Sequence, residues 1–298
     1  MIKIENLSKS YDEKKVLDDL NCTIKDNCIY GLVGANGAGK STLLRIINGV
    51  YENDKGVILI DEADIYNNEK LRQKLVFVPD DLFFYPTYTL LDMAKFYEAM
   101  YDDFDMVYLK ELATILKLDL NTKISSFSKG MKRQCALICA IATNCDYMFF
   151  DETFDGLDPV IRNVIKKILI KQMEKKKTTI ILTSHNLREL EDICDNLGLL
   201  YKGGILFESE IDKIKTDMFK VQISLKNDFS QDSFKDLNVL SFKKQGSVAT
   251  IIINDEKKDA KEKLEKLNPV ILDYIPLTLE EVFIYQMEVL GYEFKEII

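Results

Sequence analysis

A single histidine, His185, stands in 298 residues. The six cysteines, Cys22, Cys28, Cys135, Cys139, Cys145 and Cys194, include no CxxC pair. A His/Cys metal centre therefore lacks its ligands, and the cysteines read as buried free thiols of a reducing cytoplasm. No apolar run approaches the roughly 20 residues that span a bilayer; "CALICAIA" is the longest and is too short. The start, "MIKIENLSKSY", has no apolar signal segment, so work at a membrane would need something else to hold the chain there. An excess of positive charge is missing too. The net charge is −9 with both signs interspersed, which makes non-specific nucleic-acid binding a poor reading, and no nucleic-acid partner is expected. Internal repeats, low-complexity linkers and sustained heptads are absent as well.

What is present is an alternation. "CIYGLVG", "GVILI", "LVFV", "DYMFFD", "TTIILTS" and "LGLLY" read as strands with helical patterns between several of them. That order predicts an α/β fold with a mostly parallel core sheet. Residues 88–145 read as a helical insertion. After about residue 215 the pattern changes: "FKVQISL", "VLSF", "SVATIIIN" and "VILDYIPL" read as strands, and "EKKDAKEKLEKL" spaces Ala260, Leu264 and Leu267 as a helix does. "TLEEVFIYQMEVL" opens with a capping box, Thr278 to Glu281, and stripes Leu279, Phe283, Met287 and Leu290 on one face. The expected division is therefore 1–215 and a small α+β domain, 216–298.

"GANGAGKST", Gly34–Ala35–Asn36–Gly37–Ala38–Gly39–Lys40–Ser41–Thr42, matches G-x-x-x-x-G-K-[ST] between a strand and a helical pattern, the context the motif needs. Its glycines let backbone N–H groups turn toward phosphates, and the following helix adds its positive end. Lys40 is expected to reach the β- and γ-phosphates and Ser41 to ligate Mg²⁺. "DYMFFDET" ends an apolar strand in Asp151 and Glu152, where ligands of α/β sheets bind. Asp151 would hold the metal, directly or through water, and Glu152 would polarise an attacking water. These residues imply ATP or GTP as ligand.

With these motifs in place, residues 1–210 resemble the nucleotide-binding subunits of ABC transporters. "FSKGMKRQ" resembles the LSGGQ signature, "FDGLDP" the D-loop, "TSHNLRELEDICD" the switch-histidine segment and "SKSYDEKKVLDDLNCTI" the adenine-stacking region. The resemblance implies a P-loop cassette with an antiparallel N-terminal β part, a helical subdomain at about 88–145, ATP and Mg²⁺ as ligands, and two cassettes closing head to tail around two ATP molecules. Each ATP would lie between one subunit's Gly34–Thr42 loop and the other's Ser128, Lys129 and Gly130. His185 would contact the γ-phosphate and the water, Tyr11 would stack on adenine, and Asp158 would act across the dimer. The signature departs from the family at Phe127, Lys129 and Met131, and Thr153-Phe154 replaces the usual Pro-Thr.

"LVFVPDDLFFYPT" carries a further departure. The family places a glutamine after this strand, touching Mg²⁺ and water; here the matching residue is Asp80. A carboxylate is a legitimate Mg²⁺ ligand, so Asp80 is expected to serve as a metal and catalytic residue, with Asp81 a solvated turn residue. Phe83, Phe84, Tyr85 and Tyr88 suit a partner interface.

The resemblance thus implies an ATPase subunit of a bacterial exporter, working as a homodimer or heterodimer with separate transmembrane permease subunits at the cytoplasmic face of the membrane. The alternative is a soluble cassette ATPase acting in translation or another non-transport process.

Overall fold

The computed structural model describes residues 1–66, 68–211 and 218–289. It comprises two compact units, Met1–Glu208 and Ser209–Ile298.

In the first unit, β1 (Ile2–Tyr11) and β2 (Lys14–Ile24) form a hairpin. The chain then runs through β3 (Ile29–Val33) and α1 (Lys40–Ile47), β4 (Lys55–Ile60) and β5 (Ala63–Asp64), and α2 (Glu69–Arg72) to β6 (Leu75–Val78). Three helices follow: α3 (Leu90–Met100), α4 (Met106–Ile115) and α5 (Lys129–Ala142). The rest alternates: β7 (Tyr147–Asp151), α6 (Pro159–Lys176), β8 (Thr179–Ser184), α7 (Leu187–Glu191), β9 (Asn196–Tyr201) and β10 (Gly204–Glu210).

These strands make two sheets. One is ordered β2-β1-β4-β5 and its pairings are antiparallel. The other is ordered β10-β9-β3-β8-β7-β6, with β3, β6, β7, β8 and β9 mutually parallel. β3, β7 and β8 are buried along their whole length. Burial on both faces is why these strands read as continuous apolar runs rather than alternating ones. A shared core, including Ile2, Leu17, Leu44, Ile47, Phe149 and Ile181, joins the antiparallel sheet, α1 and the parallel sheet. The mostly parallel core, the antiparallel N-terminal part and the helical segment all match the sequence reading.

Local chemistry starts the three inserted helices. Thr89 and Asp92 form a reciprocal capping box on α3, Asp105 caps α4 and Ser128 caps α5. From Arg133 to Ala142, α5 is buried, packed against α3, α4 and β6. Cys135 and Cys139 are therefore core residues. Burial pushes the Cys135 thiol up to about 12, and that of Cys139 higher still, so both stay protonated.

The second unit has β11 (Met218–Ser224), β12 (Val239–Gln245), β13 (Val248–Asn254), α8 (Lys257–Lys266), β14 (Ile271–Ile275) and α9 (Leu279–Val289). Its sheet is antiparallel, ordered β12-β13-β11-β14. That order is the split β-α-β arrangement, with a short 3₁₀ turn at Gln231–Phe234 where the first helix would stand. Val221, Ile223, Ile251 and Ile253 meet Phe234 and the α8 residues Ala260 and Leu264 in a separate core. The expected capping box is present: Glu281 N donates to Thr278 Oγ1 at 3.2 Å, and Thr278 N to Glu281 Oε2 at 3.0 Å. Leu279 and Phe283 are buried; the Met287 side chain and Leu290 lie outside the described residues.

Candidate nucleotide site

The site is built where β3, β7 and β8 end. After β3 the chain cannot continue as a strand, because Gly37 and Gly39 adopt φ of 82° and 110°. At Gly39 a Cβ would also lie 3.0 Å from the Val16 carbonyl oxygen, so only glycine serves there. The loop closes with Ala38 N donating to Ala35 O at 3.1 Å, and α1 starts at Lys40. Asn36 and Gly37 are exposed at its crest.

Lys40 is buried, yet its ammonium faces the loop interior. It donates to Gly34 O at 2.7 Å and Ala35 O at 3.3 Å, and lies 3.2 Å from Glu152 Oε1. A buried ammonium must be paired, and here the loop's carbonyls and one carboxylate pair it.

Asp151 ends β7 and is fully buried. Thr183 Oγ1 donates to its Oδ1 at 2.7 Å. Its Oδ2 is buried with no hydrogen-bond partner among the described residues. An unpaired buried carboxylate oxygen is costly, and a cation at this position would satisfy it. Hard oxygen ligands such as Asp151 and Ser41 suit Mg²⁺, so the residues fit that ion.

Glu152 takes the left-handed conformation, φ 48°. That strain is sustained by a specific bond, its N–H donating to Thr183 Oγ1 at 2.9 Å. Thr183 thus holds the Asp151 carboxylate and the Glu152 backbone at once. His185 follows β8, and its Nδ1 is 3.6 Å from both Glu152 Oε2 and Asp155 Oδ2. Behind them, Glu189 accepts from Ser184 Oγ at 2.9 Å and pairs with Arg162 at 3.2 Å. Burial, with the Glu189 charge beside it, raises the Asp155 carboxyl above its ordinary value; His185 and Arg133 pull the other way.

Other expected site residues make contacts of their own. Tyr11 is exposed, edge-on to Tyr51, with the Lys9 ammonium over its ring. Ser128 accepts from Met131 N at 3.3 Å as the cap of α5, with Lys129 exposed beside it. Asp158 caps α6, accepting from Val160 N and Ile161 N at 3.1 and 3.0 Å.

Asp80 is placed differently from the expectation. Its carboxylate pairs with the Arg133 guanidinium of α5 at 2.5 Å. It does not join Glu152, Asp155 and His185, the acidic and histidine group that clusters among the described residues. Its negative charge is already met by a buried cation. Asp81 is exposed, as a solvated turn residue would be.

Thr183, Asp155 and Arg133 were missed by the sequence reading. Thr183 could have been marked by its place two residues before His185 at a strand end. Asp155 lies within the D-loop segment. Arg133 stands just ahead of the apolar run Cys135–Ala142 of α5, where a charge drawn into the core calls for a partner.

A strand, a glycine loop closing on a lysine, and a neighbouring strand ending in a buried aspartate define a P-loop nucleotide hydrolase. Residues 17–155 match the ABC transporter family. The chain is 30% identical over 284 residues to the ABC transporter ATP-binding protein YtrB of Bacillus subtilis (strain 168), covering 95% of this chain and 97% of that protein. It is 32% identical over 212 residues to the linearmycin resistance ATP-binding protein LnrL of the same organism, covering 69% and 68%. A solved ATP-binding subunit of an ABC transporter superposes with a TM-score of 0.66 at 26% identity, over 72% of this chain and 92% of that one. The chain belongs to the ABC transporter ATP-binding proteins. It is an ATP-binding and ATP-hydrolysing subunit of an ABC transporter. Cassettes of this family form dimers and work with transmembrane subunits. Among the described residues no helix is long and apolar enough to cross a membrane.

Proposed function

We propose that this chain drives a bacterial exporter from the cytoplasmic face of the membrane, docked on a separate transmembrane permease. One observation carries the catalytic part of this reading. Lys40 at the start of α1, and Thr183 and His185 at the end of β8, converge on Glu152 at the end of β7. That is how a base is positioned beside a phosphate loop.

In this reading the Gly34–Thr42 backbone wraps the β- and γ-phosphates, and Lys40 exchanges its loop carbonyls for phosphate oxygens. Ser41 and Asp151 hold Mg²⁺, which would neutralise phosphate charge and fix the oxygens in place. Glu152 orients and deprotonates the attacking water, with His185 beside it. Tyr11 offers its exposed ring to adenine. Ser128, Lys129, Gly130 and Asp158 act on the nucleotide of the partner cassette, a second copy or a different chain. The direction of transport is supported by the similarity to the linearmycin resistance ATP-binding protein. Exposed Phe83 and Tyr85, 74% and 44% accessible, with the partly buried Phe84 and Tyr88, supply the permease-facing surface. Residues 216–298 form an accessory domain.

The test is purification of the tagged chain from its own cell membranes in mild detergent. A stoichiometric protein with several membrane spans is the expected companion. Recovery only with ribosomes or nucleic acid would overturn the exporter reading and leave the ATPase chemistry standing.

A further inference from the structure

We propose that Arg133 is a positioning residue for ATP hydrolysis, its ion pair with Asp80 fixing the N-terminal end of α5 against the loop that leaves β6 and the loop that follows Glu152. The inference rests on the reading of Ser128–Gly130 as nucleotide-contacting residues.

Three observations meet at this side chain. Arg133 lies one turn inside α5, downstream of Ser128, Lys129 and Gly130, and is 4% exposed. Its Nη2 donates to Asp80 Oδ1, which follows β6 at 53 residues' remove. Its Nη1 is buried without a hydrogen-bond partner among the described residues and faces the loop after Glu152: a Cβ at Gly156 would lie 3.8 Å from it. The same loop touches the start of α5 directly, since a Cβ at Gly130 would lie 3.2 Å from the Gly156 carbonyl oxygen.

A buried guanidinium left with one unmet donor is unfavourable. What holds it in place is the charge of Asp80, and a rigid planar fork transmits that constraint better than a flexible ammonium. The pair therefore acts as a strut. It ties the loop after β6 to α5 one turn in from its start, with the loop after Glu152 packed beside them. Asp80 in this role is a counter-ion for Arg133 rather than a ligand for Mg²⁺.

A double-mutant cycle on the full chain tests this, using Asp80→Gln, Arg133→Gln and the double variant. ATPase rates are measured over ranges of ATP and Mg²⁺, with melting temperatures alongside. Each single change leaves one charge without its partner, so kcat is expected to fall about ten-fold or more, with KM for ATP and the Mg²⁺ requirement nearly unchanged. The double variant replaces the ion pair by two amides that can bond each other, and is expected to recover to within about three-fold of the parent kcat. Additive losses without rescue would overturn the proposal. So would an increased Mg²⁺ requirement in an Asp80→Ala control that Arg133→Gln does not share, which would make Asp80 a metal ligand. If melting temperature falls but kcat follows only the folded fraction, the pair is a stabilising contact and the proposal fails. Absence of ATPase in the parent chain with Mg²⁺ would instead overturn the catalytic reading on which the strut depends.

Discussion

Thr183 shows how much one hydroxyl can set. It accepts from the strained Glu152 backbone and donates to Asp151, so a single oxygen fixes the metal-facing carboxylate and the backbone that carries the water-facing one. Thr183→Val keeps the β-branched shape and removes both bonds, leaving a buried N–H and a carboxylate oxygen unmet. A stability loss of about 1–3 kcal/mol in urea unfolding is expected, with kcat reduced roughly ten-fold as Glu152 loses its orientation. Thr183→Ser should restore most of both, and equal loss in the serine variant would refute the hydrogen-bond account. Asp155 gives a prediction of opposite sign. Its carboxyl is raised by burial and by Glu189, so its contribution to stability is present below its unfolded pKa and is lost as pH rises through the higher folded value. Asp155→Asn is therefore expected to be more stable than the parent at pH 7, and to remove this residue's share of the fall in stability from about pH 4 upward, where a free aspartate titrates. Denaturation midpoints at pH 4.5 and 7.5 check it; a less stable variant at pH 7 would contradict it. The position of each residue was visible in the sequence, but its contacts were not. Threonine in "TTIILTS" is already accounted for by strand propensity, and Asp155 needs the turn after β7 to bring it to His185. Lys40, by contrast, was legible, because glycines at fixed spacing between a strand and a helix have few other physical reasons.

Elements were more legible than contacts. β3, β7 and β8 announce themselves as apolar runs because both faces are covered, and α5 as an apolar helix from Cys135 on because it is buried on every side from Arg133 to Ala142. The hairpin of β1 and β2 is weaker in sequence, since charged residues alternate along it and its register shifts at several points. The Asp80–Arg133 pair was not legible at all: its halves are far apart in the chain, and only folding of α5 against β6 brings them together. Helix ends carry a separable prediction at Asp158, whose one oxygen caps α6. Asp158→Ala removes the cap and should cost about 1 kcal/mol of stability. Asp158→Asn keeps the cap and removes only the charge. If Asp158 also works across the dimer, the asparagine variant retains its melting temperature while ATPase activity falls. Full activity in Asp158→Asn would reduce its role to capping.

At the scale of the whole chain, the two units rest on separate cores. The phosphate loop leads into α1, whose Leu43, Leu44, Ile46 and Ile47 belong to the core shared by the two sheets of the first unit, whereas Leu264 of α8 is fully buried among Val221, Ile251 and Phe234 of the second. A cavity at Leu264 removes apolar contacts that no residue of the phosphate loop shares. Leu264→Ala is expected to lower the stability of residues 209–298 by about 2–5 kcal/mol, a large fraction of what a domain of that size holds. The loss should appear in calorimetry as the shift of one transition, while ATP affinity measured by nucleotide titration stays within about two-fold of the parent, because Lys40, Ser41 and Asp151 keep their surroundings. A large fall in ATP affinity in Leu264→Ala would mean that the accessory unit helps to hold the nucleotide site in its binding form. Its small hydrophobic core would then be part of how the transporter's motor is regulated.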